Sequence, residues 1–334
     1  MEIYLDVRDN INEEKLKEIA NGIKNGKIAI FPTETVYGIG TNGLDEKAVD
    51  KIYEIKKRNK KNPTNLLVSS IEMIETITQE ISPIEYKLME AFFPGPFTLI
   101  LKKNDIVPNV VTAGSDLVGV RMPSGMIAKK LVELSGVPIA APSANISGDL
   151  SGTSLNDIID DFSQFIDFAI DGGKSEIGME STVVRVIDDI AYVLRPGLIT
   201  PEQIKAVAGN CILEDTHLPS SNLKHYQLKA KSMLIYSSDN EKMVDKINCL
   251  ICEYENCVVL CCSENKNLYN AKNVIDIGSK NDLEAISRNL FSSLQKASSL
   301  SPDMILIEGV EQKDLGIAIM NRLLNCCDNN YIEL

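Results

Sequence analysis

Lysine, arginine, serine, threonine and asparagine recur in this chain at positions that read as strand ends. Thr35 comes just after the apolar run Ile28-Ala29-Ile30-Phe31, and Arg121 closes a strand-like stretch at 117–121. Ser143 and Asn145 follow another at 137–141, Ser181 opens one at 181–186, and Arg195 follows 191–194. In α/β sheets ligands are bound at strand ends, so such points can converge on one edge. Lys and Arg supply charge for phosphate, Ser, Thr and Asn supply hydrogen bonds, and glycines allow close backbone approach. Both histidines, His217 and His225, fall in one polar stretch, and all eight cysteines lie at or after Cys211. A Ser-His-Asp triad, an H-E-x-x-H site and a cysteine nucleophile in the first half are therefore not legible. The inventory suits phosphoryl or nucleotidyl transfer, in which the protein positions groups and stabilises charge.

Each residue alone has a plainer reading. An Arg after a strand is usually solvated or salt-bridged, and a Ser or Asn at a turn is usually turn chemistry. The cluster Lys56, Lys57, Arg58, Lys60 and Lys61 at a helix C-terminus suits the macrodipole or a solvated charge run. Two motifs mislead. Gly38-Ile39-Gly40-Thr41-Asn42-Gly43 matches G-x-G-x-x-G, but residues 32–37 separate it from the strand and Asp45 opens the helix. The acidic residue due about 20 positions later is missing, so a dinucleotide site does not fit. Gly173-Lys174-Ser175 resembles a P-loop end, but Phe168 stands where the first glycine is required.

The chain has 334 residues, 44% of them apolar, with net charge −13 and pI about 4.8. That length predicts two domains with real cores. An acidic protein is a poor non-specific binder of nucleic acid, so the basic cluster is a local island that favours a small anion. Weak or no direct RNA binding is expected. MEIYLDVRDN lacks a signal-peptide core, and no run approaches the roughly 18 apolar residues of a membrane helix. A cytoplasmic, membrane-free protein is the expectation. Cys249, Cys252, Cys257, Cys261 and Cys262 raise a zinc question, but their helix-like and strand-like settings favour buried reduced thiols.

The elements that must position the polar set alternate along residues 1–208. Apolar spacing predicts helices over 12–23 and 71–77, and Ser82-Pro83-Ile84-Glu85 and Thr200-Pro201-Glu202-Gln203 read as capping boxes. Residues 209–231 read as a linker. From 232 to 334 strands and helices alternate, which predicts a smaller Rossmann-like parallel α/β domain.

A set of motifs occurs in order: Phe31-Pro32-Thr33-Glu34-Thr35-Val36-Tyr37-Gly38, Lys56-x-Arg58, Asn62-Pro63, Phe93-Pro94-Gly95-Pro96-Phe97-Thr98, Val120-Arg121-Met122-Pro123, Ala141-Pro142-Ser143-Ala144-Asn145, Ser181-Thr182 and Leu194-Arg195-Pro196-Gly197. Together they resemble the YrdC-type threonylcarbamoyl-adenylate synthases. Lys224-His225-Tyr226 and Gly316 to Arg322 resemble the two-domain form of that family. The resemblance implies a twisted mixed sheet with helices over 1–208, a linker closing over the site, and the parallel α/β domain behind it. It implies condensation of ATP, L-threonine and bicarbonate or CO2, with Mg²⁺ on the ATP, to threonylcarbamoyl-AMP and pyrophosphate. The product would pass to a separate tRNA threonylcarbamoyl transferase complex for t6A at position 37 of ANN-decoding tRNAs. Carried over by motif, Lys56, Arg58, Ser143 and Asn145 are the catalytic polar tetrad at the nucleotide. Asn62, Ser151, Arg195 and Tyr226 are further ATP contacts, and Thr35, Arg121, Ala141 and Ser181 hold threonine.

The chain departs from the family at Leu67, where a histidine is usual, and in the linker, which lacks the usual glycine and methionine. Two other readings compete. An RNA-binding module would draw on the cluster at 51–61. A carbamoyl-transfer domain like those of hydrogenase maturation proteins would need further catalytic modules, which the sequence does not show.

Overall fold

The structure is a computed structural model and describes residues 1–214 and 228–334. The chain divides into two compact units. The first holds Met1–Ser147, Ser151–Glu176 and the chain from Glu180 to the undescribed segment. The second holds the chain beyond that segment together with Gly148–Leu150 and Ile177–Met179.

The first unit is built on an 11-stranded mixed sheet. Its strands are β1 (Ile3–Asp6), β2 (Ala29–Phe31), β3 (Gly38–Asn42), β4 (Leu66–Leu67), β5 (Phe97–Lys102), β6 (Leu117–Arg121), β7 (Ile139–Ala140), β8 (Phe168–Asp171), β9 (Thr182–Ile187), β10 (Ile190–Arg195) and β11 (Cys211–Leu213). Their spatial order is β1-β8-β2-β3-β7-β4-β6-β5-β9-β10-β11. The helix Glu13–Lys24 is capped by the Asn12 side chain and buries Leu16, Ile19, Ala20 and Ile23. That apolar stripe shares a core with Ile127, Leu131 and Val132 of the helix Met126–Ser135. The helix Glu46–Ile55 is capped by Asp45, which accepts from the Lys47 and Ala48 amides. Capping boxes at Ser82 and Thr200 open the helices Pro83–Phe92 and Pro201–Ala208, as the sequence predicts.

Three local features differ from the plain sequence pattern. Residues 38–42, inside the G-x-G-x-x-G match, are strand β3, antiparallel to both β2 and β7. Glycine is a weak strand former, and its use here is close approach. A Cβ on Gly40 would lie 2.8 Å from Ile139 Cγ2 and 2.9 Å from Phe31 Cε1. The stretch expected to be linker from 209 contributes β11, parallel to β10, because Cys211 can pair with Ala191 and extend the sheet. Residues 155–162 hold a 3-10 turn, Leu155–Asp157, followed by one short turn of α-helix, Ile159–Phe162.

The second unit has β12 (Lys231–Tyr236), β13 (Cys257–Cys261), β14 (Asn273–Asp276), β15 (Met304–Glu308) and β16 (Tyr331–Glu333). All pair in parallel, in the order β14-β13-β15-β12-β16. Continuous burial of β13 and β15 reflects helices on both faces of such a sheet. Cys257, Cys261 and Cys262 are buried free thiols, and burial pushes the Cys261 thiol up to about 12. Among the described residues no group of three His, Cys, Asp or Glu side chains is placed to hold a metal ion, and no helix is long and apolar enough to cross a membrane.

The packing at β3 gives a direct test. Gly40→Ala should lower the urea midpoint by an amount equivalent to about 1–3 kcal/mol, with an unchanged denaturant slope. A variant as stable as the parent would show that β2, β3 and β7 are not packed this closely.

Candidate functional site

The helix Glu46–Ile55 delivers the first two polar residues. Lys56 is its C-cap, and Lys57 turns the chain with φ 51. The Arg58 amide then donates back to the Tyr53 carbonyl at 2.8 Å. The basic cluster consequently splits. Lys57, Lys60 and Lys61 are exposed, with Lys60 paired to Asp50 at 2.7 Å. Lys56 is only 1% exposed, so the plain surface reading fails for it. Its Nζ donates to the main-chain carbonyls of Ser143 and Asn145, each at 2.5 Å. Burial, and then the neighbouring Arg58 charge, hold the Lys56 ammonium well below the ordinary lysine range. Arg58 donates to the Asn62 and Pro63 carbonyls at 3.2 and 2.8 Å, and burial lowers it too. The Tyr53 hydroxyl donates to the Asn62 carbonyl as well, at 2.8 Å. Ser143 Oγ donates to Asn145 Oδ1 at 2.6 Å, so Lys56, Ser143 and Asn145 form one hydrogen-bonded group.

A second group forms around Arg121. Its Nη1 donates to Thr35 Oγ1 at 2.8 Å and its Nε to the Gly95 carbonyl at 3.4 Å. Its Nη2 lies 2.6 Å from Glu34 Oε1. Glu34 Oε2 accepts from the Gly125 amide at 3.1 Å. Burial raises the Glu34 carboxyl, but the Arg121 charge and the hydrogen bonds outweigh it and hold the group below the usual carboxylate range. Glu34 is the residue the sequence reading passed over. The available signal was a lone carboxylate between two threonines, directly after an apolar strand and a proline.

A third group joins Ser181, Thr98 and Arg195. Ser181 and Thr98 hydroxyls are 2.7 Å apart. Arg195 donates through Nε and Nη2 to the Ser181 carbonyl at 3.1 and 2.9 Å. Ser151 is fully buried and donates to Glu180 Oε1 at 2.6 Å.

Main-chain bonds link the three groups. The Tyr37 carbonyl accepts from Ala144 at 2.7 Å, and the Tyr37 amide donates to Gly152 at 3.0 Å, next to Ser151. Gly95 donates to Met122 and Thr182 to Pro96, which tie the loop at 94–96 between Arg121 and Ser181. Ala141 stands just past β7, its amide on the Asn65 carbonyl at 3.1 Å. Lys56, Arg58, Asn62, Ser143, Asn145, Ser151, Arg195, Thr35, Arg121, Ala141 and Ser181 therefore belong to one connected set within the first unit. Tyr226, with the rest of the linker motif, lies outside the described residues. Leu67 is a buried core residue of β4.

The expectation of a single sheet edge is corrected by the register. Arg121 is level with Leu67 and Ile139 at one end of the β6-β4-β7 ladder. Ser143 bridges Gly38 beyond the other end of β7, level with the end of β2 that leads to Thr35. Arg121, Ser181 and Arg195 thus start from one side and Thr35, Ser143 and Asn145 from the other. They meet in the hydrogen bond from Arg121 to Thr35, on either side of β4 and β7, which are two residues each. That is about 7 Å of strand, the reach of one arginine side chain.

Residues 21–197 match the sequence family Sua5/YciO/YrdC, described by the words telomere recombination. The chain belongs to that family. Residues 199–325 match a second one, described as threonylcarbamoyl-AMP synthase, C-terminal domain. Threonylcarbamoyl-AMP synthase of Pyrococcus abyssi is 40% identical over 100% of both chains. The Bacillus subtilis protein of that name is 36% identical, over 99% of this chain and 98% of the other. Among solved structures, Pyrococcus abyssi Sua5 complexed with L-threonine superposes with a TM-score of 0.92 at 40% identity, covering 99% of each chain. The YrdC-like mixed sheet and the smaller parallel α/β domain expected from the sequence are therefore both present.

The Glu34–Arg121 pair carries a pH signature. The folded-state carboxyl is depressed, so its contribution is complete above the unfolded value of about 4.3 and fades as pH falls through the folded value. Glu34→Gln leaves a buried guanidinium without its charge partner and should cost about 3–5 kcal/mol at pH 7. In urea titrations from pH 7 to pH 3 the gap between parent and variant should narrow on the acid side. A gap constant across that range would show that the pair does not stabilise the fold.

Proposed function

We propose that the protein joins L-threonine, bicarbonate or CO2, and ATP into threonylcarbamoyl-AMP, releasing pyrophosphate. The observation that carries this reading is the connected set of buried cations and hydroxyls, in a chain whose full-length relatives are named for that activity. The threonine complex of the Pyrococcus abyssi relative supports threonine as the amino acid.

The roles follow from the donors. Arg121 has five N–H donors; its hydrogen bonds use Nε and one N–H of Nη1, and Nη2 faces Glu34 as an ion pair without a hydrogen bond, so N–H groups remain on both Nη1 and Nη2. Those two would take the threonine carboxylate bidentately, beside Thr35 and Ser181. Glu34 stays as the counter-charge that keeps the guanidinium in place. The threonine amine adds to CO2 and loses a proton, giving a carbamate. A carbamate oxygen attacks the α-phosphorus, the bond from phosphorus to the bridging oxygen breaks, and pyrophosphate leaves. Lys56, Arg58 and Arg195 would offset the phosphate charge, with Asn62, Ser143, Asn145 and Ser151 as the polar contacts. Lys56, Arg58 and Arg195 are donors suited to phosphate oxygens, so Mg²⁺ would travel with the triphosphate, held by phosphate oxygens and water. The mixed anhydride is labile, and its use in t6A formation by a separate transferase fits that lability.

Omission of each substrate tests the reaction. Pyrophosphate release by the full chain should require ATP, bicarbonate and threonine together, with threonylcarbamoyl-AMP detected by mass. Release that persists without threonine would reject the proposal. Arg121→Lys loses the fork and should raise the KM for threonine at least about tenfold, whereas Lys56→Met should act on ATP instead.

A further inference from the structure

Two buried threonines to which the proposed reaction gives no role, Thr33 and Thr98, each bond to a hydroxyl assigned to the amino acid, and all four residues lie in the first unit. A hydroxyl has one hydrogen to give and two lone pairs to receive, so its partners fix what it can still offer. Thr33 Oγ1 lies 2.6 Å from the Val36 carbonyl, which only accepts, so the Thr33 hydrogen is spent there. The Thr35 hydroxyl, 2.9 Å from Thr33 Oγ1, must then be the donor of that pair. Thr33 Oγ1 also accepts from the Thr35 amide at 3.2 Å. Thr35 Oγ1 in turn accepts from Arg121 Nη1 at 2.8 Å. With its hydrogen given to Thr33 and one lone pair taken by Arg121, Thr35 keeps one lone pair and can only accept.

Ser181 is set the opposite way. Arg195 Nη2 donates to Ser181 Oγ at 3.2 Å, and a guanidinium has no lone pair to reverse that bond. Thr98, on β5, is fully buried. Its Oγ1 lies 2.7 Å from Ser181 Oγ and has no other hydrogen-bond partner among the described residues. If Ser181 gave its hydrogen to Thr98, the Thr98 hydrogen would be left without an acceptor where water does not reach. If Thr98 gives its hydrogen to Ser181, both lone pairs of Ser181 are filled, and its own hydrogen is left for a ligand oxygen. Every hydrogen of the group therefore finds an acceptor only when an acceptor sits at Ser181. A ligand N–H there would strand Thr98.

We infer that Thr33 and Thr98 are positioning residues that give the amino-acid end one acceptor, at Thr35, and one donor, at Ser181. Thr35 receives an N–H or O–H of the amino acid, and Ser181 donates to one of its carboxylate oxygens, beside the fork of Arg121. The pair matches a zwitterion in one orientation and excludes the reverse, in which the ammonium would face Ser181. This rests on the proposed synthase reading for the identity of the ligand. The hydrogen count rests on the protein alone.

The test titrates threonine calorimetrically into the full chain with a non-hydrolysable ATP analogue present. Thr98→Val and Thr33→Val remove the hydroxyl at similar volume, with alanine in place of any valine variant that does not fold. Each should raise the Kd for threonine about fivefold or more and change that for the ATP analogue by less than about twofold. Thr98→Ser and Thr33→Ser keep the hydroxyl and should stay within about twofold of the parent, as should Thr78→Val, which removes a buried hydroxyl elsewhere in the unit. In a Ser181→Ala background Thr98→Val should add less than about twofold, because Thr98 acts through Ser181. A full effect in that background overturns the inference, as does an unchanged Kd in either hydroxyl-free variant. α-Aminobutyrate, which lacks the side-chain hydroxyl, separates the two donors: a Thr33→Val loss that persists with it gives Thr35 the amine, and a loss that disappears gives it the hydroxyl. If the parent binds threonine but releases no pyrophosphate with it, the proposed function fails by itself and these constants still judge the inference. A parent that binds no threonine overturns both.

Discussion

Burying an ammonium among main-chain carbonyls is costly, because a cation leaves water for two neutral dipoles. Lys56 is in that position, with Arg58 close enough to press its proton affinity down further. The arrangement holds because the carbonyls of Ser143 and Asn145 are fixed by the turn after β7, which is pinned to Tyr37. A polyphosphate entering beside Lys56 and Arg58 would offset the charge of both. The cost of keeping them together in the free protein is the same feature that would make them receptive to an anion.

At Arg121 the opposite solution is used. Glu34 neutralises the guanidinium and Thr35 and Gly95 orient it. An arginine whose charge is balanced by a carboxylate costs less to keep buried, and its planar fork still has donors to offer. One end of the site is therefore held by uncompensated positive charge and the other by a neutral, oriented pair. That asymmetry matches a triphosphate at one end and a single carboxylate at the other.

The narrow waist of the sheet makes these two ends neighbours. Strands of two residues at β4 and β7 give little hydrogen bonding of their own. Glycines at 40 and 43 let β3 lie close against this waist, where a Cβ on Gly43 would come 2.4 Å from Leu66 Cδ2. The same principle of glycine as a point of contact returns at Gly178, where a Cβ would lie 2.7 Å from the backbone of Arg288.

The sequence by itself determined the local elements and the chemical inventory. Caps at Asn12, Asp45, Ser82 and Thr200 read directly, since a cap is a bond within one turn. The parallel second unit was legible because strand–helix alternation is a short-range pattern. Strand β3 was not, because two of its five residues are glycines, which carry no strand preference, and only its neighbours β2 and β7 make it one. Likewise Lys56 and Lys57 are adjacent and chemically alike in the sequence, and only the turn at Lys57 sends one inward and leaves the other in water. The role of Glu34, the meeting of two strand ends across β4 and β7, and the attachment of 177–179 to a helix more than a hundred residues later were decided by tertiary structure. Each is a contact between distant segments, whose existence depends on distances that no local pattern of residue types encodes.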